Sequence, residues 1–246
     1  MTNPEFIEVL DFKVFSDDLS LIDIAGDSCR VINTISPNSY GITIKDTIFK
    51  EALQQSDYLV LDGVYFAVAS LLLQGKNIKK NQGPDVFNHF INRLETVKGK
   101  AFFLGSSDAT LDKIKLRMQK EYPNIVVMYY SPPFKDEFSN EDNNSMLKAV
   151  NEFNPDILFV GMTCPKQEKW AIKFRDSLNA GLVICIGNVF DWFAGTQKAI
   201  PPIWFKLRLA WLIRIYYRPE IFKRNIKNQM SFFGDVILLF FRFKKA

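Results

Sequence analysis

The sequence predicts an α/β fold: a doubly wound, mainly parallel, Rossmann-like sheet followed by a helical, basic C-terminal appendage. Three observations predict it. Short β-branched or apolar runs recur along the chain, each followed by a turn and then by helical spacing, the pattern of parallel strands joined by crossover helices. A length of 246 residues with 48% hydrophobic content is enough for one large packed domain or two small ones. Charge is divided unevenly: residues 198–246 hold eleven Lys and Arg against two acids, a net +9, which leaves −5 on residues 1–197.

The elements follow in order. Arg-Val-Ile-Asn-Thr at 30–34 is the first expected strand, and a helix over 38–53 opens on Asn38 behind Pro37. Tyr-Leu-Val-Leu at 58–61 is the second strand, followed by helical spacing over 64–74 and again over 84–95, where Pro84 suits a first turn. Strands at 101–104 and 125–129 flank a helix at 110–122 that opens on Thr110. A helix at 140–153, a strand at 156–160, a helix at 166–178 and a strand at 182–186 complete the alternation. No repeat, low-complexity tract or long linker divides the chain before about residue 197, so 1–197 is expected to be one core and 198–246 its appendage. In the appendage, Pro201 and Pro202 are expected to begin a helix through Tyr217, and Pro219 another.

The appendage alternates cations with Trp204, Phe205, Trp211, Tyr216, Tyr217 and Phe222, then with Phe232, Phe233 and the apolar run 236–241. That mixture suits a lipid interface, where apolar faces enter the acyl boundary and Lys and Arg meet anionic headgroups. The same residues suit a core-packing helix with a solvated basic face, or a nucleic-acid groove. The apolar run is far shorter than the roughly 20 residues that span a bilayer, so a peripheral membrane protein is expected. Residues 1–9 include Glu5 and Glu8 and lack a basic stretch followed by an apolar one, so no secretory signal is expected. Cys29, Cys164 and Cys185 are too scattered for a disulfide framework or a zinc site, which fits a reducing compartment.

Open parallel sheets bind ligands outside the carboxyl ends of their strands. There the sequence places Thr34 with Ser36, Asp62 with Gly63, Gly105 with Ser106, Ser131, the stretch from Gly161 through Lys166 and Gln167, and Gly187 with Asn188 and Asp191. Asp62 follows its apolar run directly and is either a general base or an N-cap for the next helix. Asp85 is a better cap than base. The first-turn N–H groups at 166–168 with Lys166 and Gln167 can hold a phosphate or a base edge. Cys164 as a nucleophile lacks a nearby base, since the only histidine, His89, falls inside a remote helix. Neither a dinucleotide glycine fingerprint nor a P-loop is present, and no cofactor or metal site is expected.

One ordered set of blocks carries a resemblance: Asn33-Thr34 with Pro37-Asn38-Ser39-Tyr40, Leu61-Asp62-Gly63-Val64, Gly83-Pro84-Asp85-Val86-Phe87, Phe102-Phe103-Leu104-Gly105 and Tyr122-Pro123. Pro155-Asp156 leads through Gly161 to Pro165-Lys166-Gln167-Glu168-Lys169-Trp170, then Phe190-Asp191 with Ala194-Gly195, and Trp211-Leu212-Ile213-Arg214. Over about residues 30 to 225 the chain resembles the WecG/TagA/CpsF family of bacterial glycosyltransferases, glycosyltransferase family 26. The resemblance implies inverting, metal-independent transfer of a sugar from a UDP-sugar to a polyprenyl-diphosphate-linked acceptor in cell-surface polysaccharide synthesis. It also implies work at the cytoplasmic, inner face of the cell membrane, with a basic appendage that binds membrane and covers the site. By the same resemblance Asp62 is the catalytic base, Thr34 shapes the pocket beside it, and Gln167 faces it. Ser36, Gly105, Ser106, Gly161, Lys166, Gly187, Asn188 and Asp191 are expected at the donor, and Lys80, Arg214, Arg218 and Arg224 at the diphosphate or acceptor.

The chain departs from the family pattern at four places. Ser36 stands where the family usually has Asn, Tyr65 where it often has Gly, Lys80 or Lys79 in place of an Arg, and Ala210 in place of a Glu. These positions bear on donor choice, and they leave open a catalytically inactive homologue that binds a nucleotide-sugar or nucleic acid. For the enzyme no nucleic-acid partner is expected, while an oligomer is compatible with the apolar tail.

Overall fold

The computed structural model describes residues 4–26, 28–78, 81–197, 203–204, 216–217 and 219–243. Six parallel strands form the central sheet: β3 (Arg30–Ile35), β4 (Tyr58–Leu61), β5 (Lys100–Gly105), β6 (Val126–Tyr130), β7 (Ile157–Gly161) and β8 (Leu182–Cys185), in the order β4-β3-β8-β7-β5-β6. All six expected strands are present. The central ones are buried along nearly their whole length because helices cover both faces, which is why they read as continuous apolar runs.

The helices fully within the described residues are α1 (Pro37–Thr43), α2 (Thr47–Gln54), α3 (Tyr65–Gln74), α4 (Gly83–Val97), α5 (Asp108–Glu121), α6 (Asn140–Phe153), α7 (Lys166–Phe174), α8 (Val189–Phe193) and α9 (Pro219–Phe243). Two expected helices are corrected. The one over 38–53 is two, because the Asp46 carboxylate accepts from the Phe49 N–H at 2.9 Å and starts α2 afresh. The one over 166–178 stops at Phe174 and continues only as a 3-10 turn, Arg175–Ser177. The helix expected from Pro201 to Tyr217 lies outside the described residues, apart from Ile203, Trp204, Tyr216 and Tyr217.

Three elements were not expected: the short α8, a 3-10 turn at Leu19–Leu21, and, ahead of both, a hairpin of β1 (Phe6–Val9) and β2 (Phe12–Phe15). Its turn residues Leu10 and Asp11 have φ of 51° and 66°, the two-residue conformation usually signalled by Asn-Gly. With Leu-Asp at those positions the usual signal is missing.

Packing divides into three clusters. Helices α4, α5 and α8 cover one face of the sheet around Phe87, Phe103 and Phe159, while α6 and α7 cover the other around Phe102, Met146 and Trp170. The third joins the hairpin, α2, α3 and the β4 side of the sheet to α9 through Phe66, Phe232 and Val236. Tyr40 donates to the Asp235 carboxylate at 2.8 Å, and Asn228 to the Asn38 side-chain oxygen at 3.2 Å. Helix α9 is therefore seated on α1 and α3 by a buried seam, with Lys223, Arg224, Lys227 and Arg242 on its exposed side.

Candidate active site

The parallel topology puts every strand's carboxyl end on one edge of the sheet, and the described candidates from the core gather there. Along that edge stand Asp62 (β4), Thr34 and Ser36 (β3), Gly187 (β8), Gly161 (β7) and Gly105 (β5). Asp62 and Gly105 are four strand intervals apart, about 19 Å at the usual spacing. Helices leave β5 toward β6 and β7 toward β8, in opposite directions, which makes the β5/β7 junction a topological switch point.

At the β4 end, the Asp62 N–H donates to the Ile35 carbonyl at 2.9 Å, extending the β3/β4 ladder by one rung. This brings Asp62 beside the Thr34–Ser36 segment. Asp62 is exposed and is not the N-cap of the helix that follows, a position held by Val64. Gly63 holds φ +98°, and a Cβ placed on it would meet nothing within 4 Å among the described residues, so they leave the backbone beside the carboxylate open. Thr34 is half-buried. The Ser36 hydroxyl accepts from the Ser39 N–H at 3.3 Å, and Ser39 reciprocates at the Ser36 N–H, a capping box that starts α1.

At the other end, Gly105 has φ +114°, and a Cβ there would lie 2.5 Å from the Gly161 carbonyl oxygen. Gly161 in turn has the Phe190 ring 2.4 Å from the place its own Cβ would take. Only glycine fits either position, so the two buried backbones pack directly on each other and on the Phe190 ring. Ser106, at φ 63°, turns the chain away, and its carbonyl accepts from the Ser131 hydroxyl at 2.8 Å.

Between these ends, Gln167 binds the loops together. Its side-chain oxygen accepts from the N–H groups of Met162 at 3.2 Å and Gly187 at 3.1 Å, and its amide nitrogen donates to Glu168 at 2.9 Å. Gln167 is buried, so both ends of its amide are used within the protein and it acts as a brace between the β7 and β8 loops. Lys166 bonds the Lys135 carbonyl and lies 4.9 Å from the Phe138 ring centroid, which directs its charge toward the β6–α6 loop. Asn188 and Asp191 form a polar cluster with Thr196 and Gln197, in which Asn188 donates to Gln197 at 3.0 Å.

Glu168 is the group that sequence reasoning passed over. It is buried, and burial pushes its carboxyl up to about 7 against the opposing bonds from Gln167, its backbone and Cys164. An acid in a helix's first turn normally faces water, so its type and place gave no sign of this. Burial and the neighbouring Glu168 also raise the thiols of Cys164 and Cys185 far above the ordinary range, the opposite of what a nucleophilic cysteine needs. Among the described residues no group of three His, Cys, Asp or Glu stands together as a metal-ligand set.

Arg224 is exposed on α9, where it bonds Asn225 at 3.2 Å; it lies nine residues, or about 14 Å of helix, before Phe233, whose ring meets Tyr65 of α3. Lys80, Arg214 and Arg218, with Lys79 and Ala210, lie outside the described residues.

The family model for the Glycosyl transferase WecG/TagA/CpsF family matches residues 7–246. The chain belongs to the WecG/TagA/CpsF glycosyltransferase family. It is 28% identical over 196 residues to a Bacillus subtilis (strain 168) protein named N-acetylglucosaminyldiphosphoundecaprenol N-acetyl-beta-D-mannosaminyltransferase, covering 80% of this chain and 75% of that one. It is 25% identical over 183 residues to a protein of the same name from Staphylococcus aureus (strain NCTC 8325 / PS 47), covering 74% and 70%. Two departures from the WecG/TagA/CpsF pattern now have a structural place. Ser36 starts α1, and the Tyr65 ring stands edge-on to Phe233 at 5.3 Å, tying α3 to the C-terminal helix.

Proposed function

We propose that this glycosyltransferase moves an N-acetylhexosamine or hexose, with inversion, from a UDP-sugar to the sugar of a polyprenyl-diphosphate-linked acceptor. The acceptor class rests on the names of the two relatives, which describe transfer of N-acetylmannosamine to N-acetylglucosaminyldiphosphoundecaprenol. The observation that carries the chemistry is Asp62: an exposed carboxylate at a strand end, two residues ahead of the N-cap of the next helix and next to a glycine that is open among the described residues.

In the reaction, an acceptor hydroxyl gives its proton to Asp62 as its oxygen bonds the anomeric carbon. The bond from that carbon to the phosphate oxygen breaks on the opposite side, and UDP leaves with the electron pair. General-base help of this kind contributes at least about a hundredfold. The loops that follow β5, β7 and β8, at Ser106, Met162 and the half-exposed Gly187, suit the nucleotide, while Thr34 and Ser36 border the sugar beside the base. Negative charge on departing UDP needs positive groups, for which Lys80, Arg214, Arg218 and Arg224 are the candidates. The basic tail draws the enzyme to the anionic inner face of the membrane, where the acceptor lies.

Asp62→Asn is expected to keep the wild-type Tm and UDP affinity and to lower turnover at least about a hundredfold. Isothermal calorimetry with UDP and a steady-state transfer assay check this. Unchanged turnover removes Asp62 from the mechanism.

A further inference from the structure

Helix α3 is apolar on both sides. None of its ten residues is charged, and Phe66, Ala69 and Ser70 face the core. Its outer side presents Val64, Tyr65, Val68, Leu71 and Leu72, each 43–53% exposed. A water-facing helix of a soluble domain carries polar residues on that side, and one that is apolar all round is normally covered. An exposed apolar patch of this kind marks an interaction site.

Two observations favour lipid as the occupant. One is continuity: the Tyr65 ring meets Phe233 of α9 at 5.3 Å. Met230, Ile237 and Phe241 share the helical stripe of Phe233 and are 55–61% exposed, so the apolar surface runs from α3 onto the last turns of α9. The other is charge. Lys223 and Lys227 stand exposed on the earlier turns of α9, and Arg242 near its end. An apolar strip edged by cations matches acyl chains below a layer of anionic headgroups.

We propose that the outer face of α3, together with the α9 stripe, enters the headgroup boundary of an anionic bilayer. Because α3 starts three residues after Asp62, this seating sets the carboxylate at headgroup height, where a lipid-linked sugar lies. The last step, and the part that the cations of α9 play, rest on the proposed function; the apolar contact of α3 does not.

The test uses the full chain with vesicles of equal parts phosphatidylglycerol and phosphatidylethanolamine. In Val68→Glu/Leu71→Glu, vesicle affinity is expected to fall at least about tenfold, since each charge would have to enter the interface. Transfer to a long-chain acceptor in vesicles falls with it, while transfer to a short-chain soluble acceptor stays at the wild-type rate. A second measurement needs no variant: hydrogen exchange across 65–74 in the wild type is expected to slow when vesicles are added. Wild-type vesicle affinity in the glutamate variant overturns the proposal, as does unchanged exchange in α3. So does a variant that only converts an oligomer to monomers, which would assign the face to a second copy. A wild type that protects α3 on vesicles and transfers no sugar upholds the lipid contact and defeats the proposed function instead.

Discussion

Asp62 and Glu168 show how differently one chain can use a carboxyl group. Asp62 stands exposed at a strand end, whereas Glu168 lies buried under the loop brace with its proton affinity raised to about 7 from an ordinary 4.5. Between those two values the folded protein binds more protons at Glu168 than the unfolded chain does, so its contribution to stability falls as pH rises from about 4.5 to 7 and then levels off. A difference of that size is on the order of 3 kcal/mol. Glu168→Gln keeps an acceptor for Gln167 and removes the titration. Its Tm, measured from pH 5 to pH 8, is expected to rise by several degrees relative to wild type across that range; parallel profiles would refute the assignment. At this scale the sequence showed which residues stand at strand ends, because an apolar run followed by a polar residue marks the end of a strand. It did not show side-chain direction. Gln167 was expected to face a ligand and instead binds Met162 and Gly187, since a helix's first turn has an inner and an outer side that short motifs do not distinguish.

At the scale of elements, the six parallel strands were legible because each is a short apolar run between turn signals. The β1–β2 hairpin was not, because Leu10 and Asp11 occupy positive φ without the usual glycine. Nor was the α1–α2 break, where Asp46 sits inside otherwise continuous helical spacing. The seating of α9 depends on another glycine. A Cβ at Gly41 would lie 2.3 Å from the Asn228 backbone, so α1 and α9 touch main chain to side-chain position. Within a helix, Gly→Ala normally stabilises by roughly 0.5–1 kcal/mol. Here the opposite sign is expected: Gly41→Ala forces α9 outward and costs about 1–3 kcal/mol. A lower Tm with faster proteolysis inside 219–243 would bear this out, and a raised Tm would contradict the packing.

For the molecule as a whole, the charge split was plain in the sequence and the joining of its two parts was not. The tail was expected to be an appendage for lipid, with core packing as the alternative; α9 does pack on the core, with Phe232 and Val236 buried, while its cations stay exposed. Deleting 198–246 would therefore uncover the core at Phe66 as well as remove charge, and would not isolate membrane binding. Lys223→Gln/Lys227→Gln does. At about 1 kcal/mol per cation near an anionic surface, vesicle affinity is expected to drop roughly thirtyfold with Tm unchanged. The loss should shrink as salt is raised, because exposed charges are screened. Equal affinity at low salt would show that these cations do not face lipid.

The central claim, sugar transfer from a UDP-sugar by way of Asp62, is tested most directly by mass spectrometry of a short-chain lipid-diphosphate-N-acetylglucosamine. It is incubated with a panel of UDP-sugars that includes UDP-N-acetylmannosamine, alongside wild type and Asp62→Asn. The expected result is one added sugar from one donor, with an equal amount of UDP released, and formation at least about a hundredfold slower in the variant. No product from any donor with wild type, or product at the wild-type rate with Asp62→Asn, would contradict it.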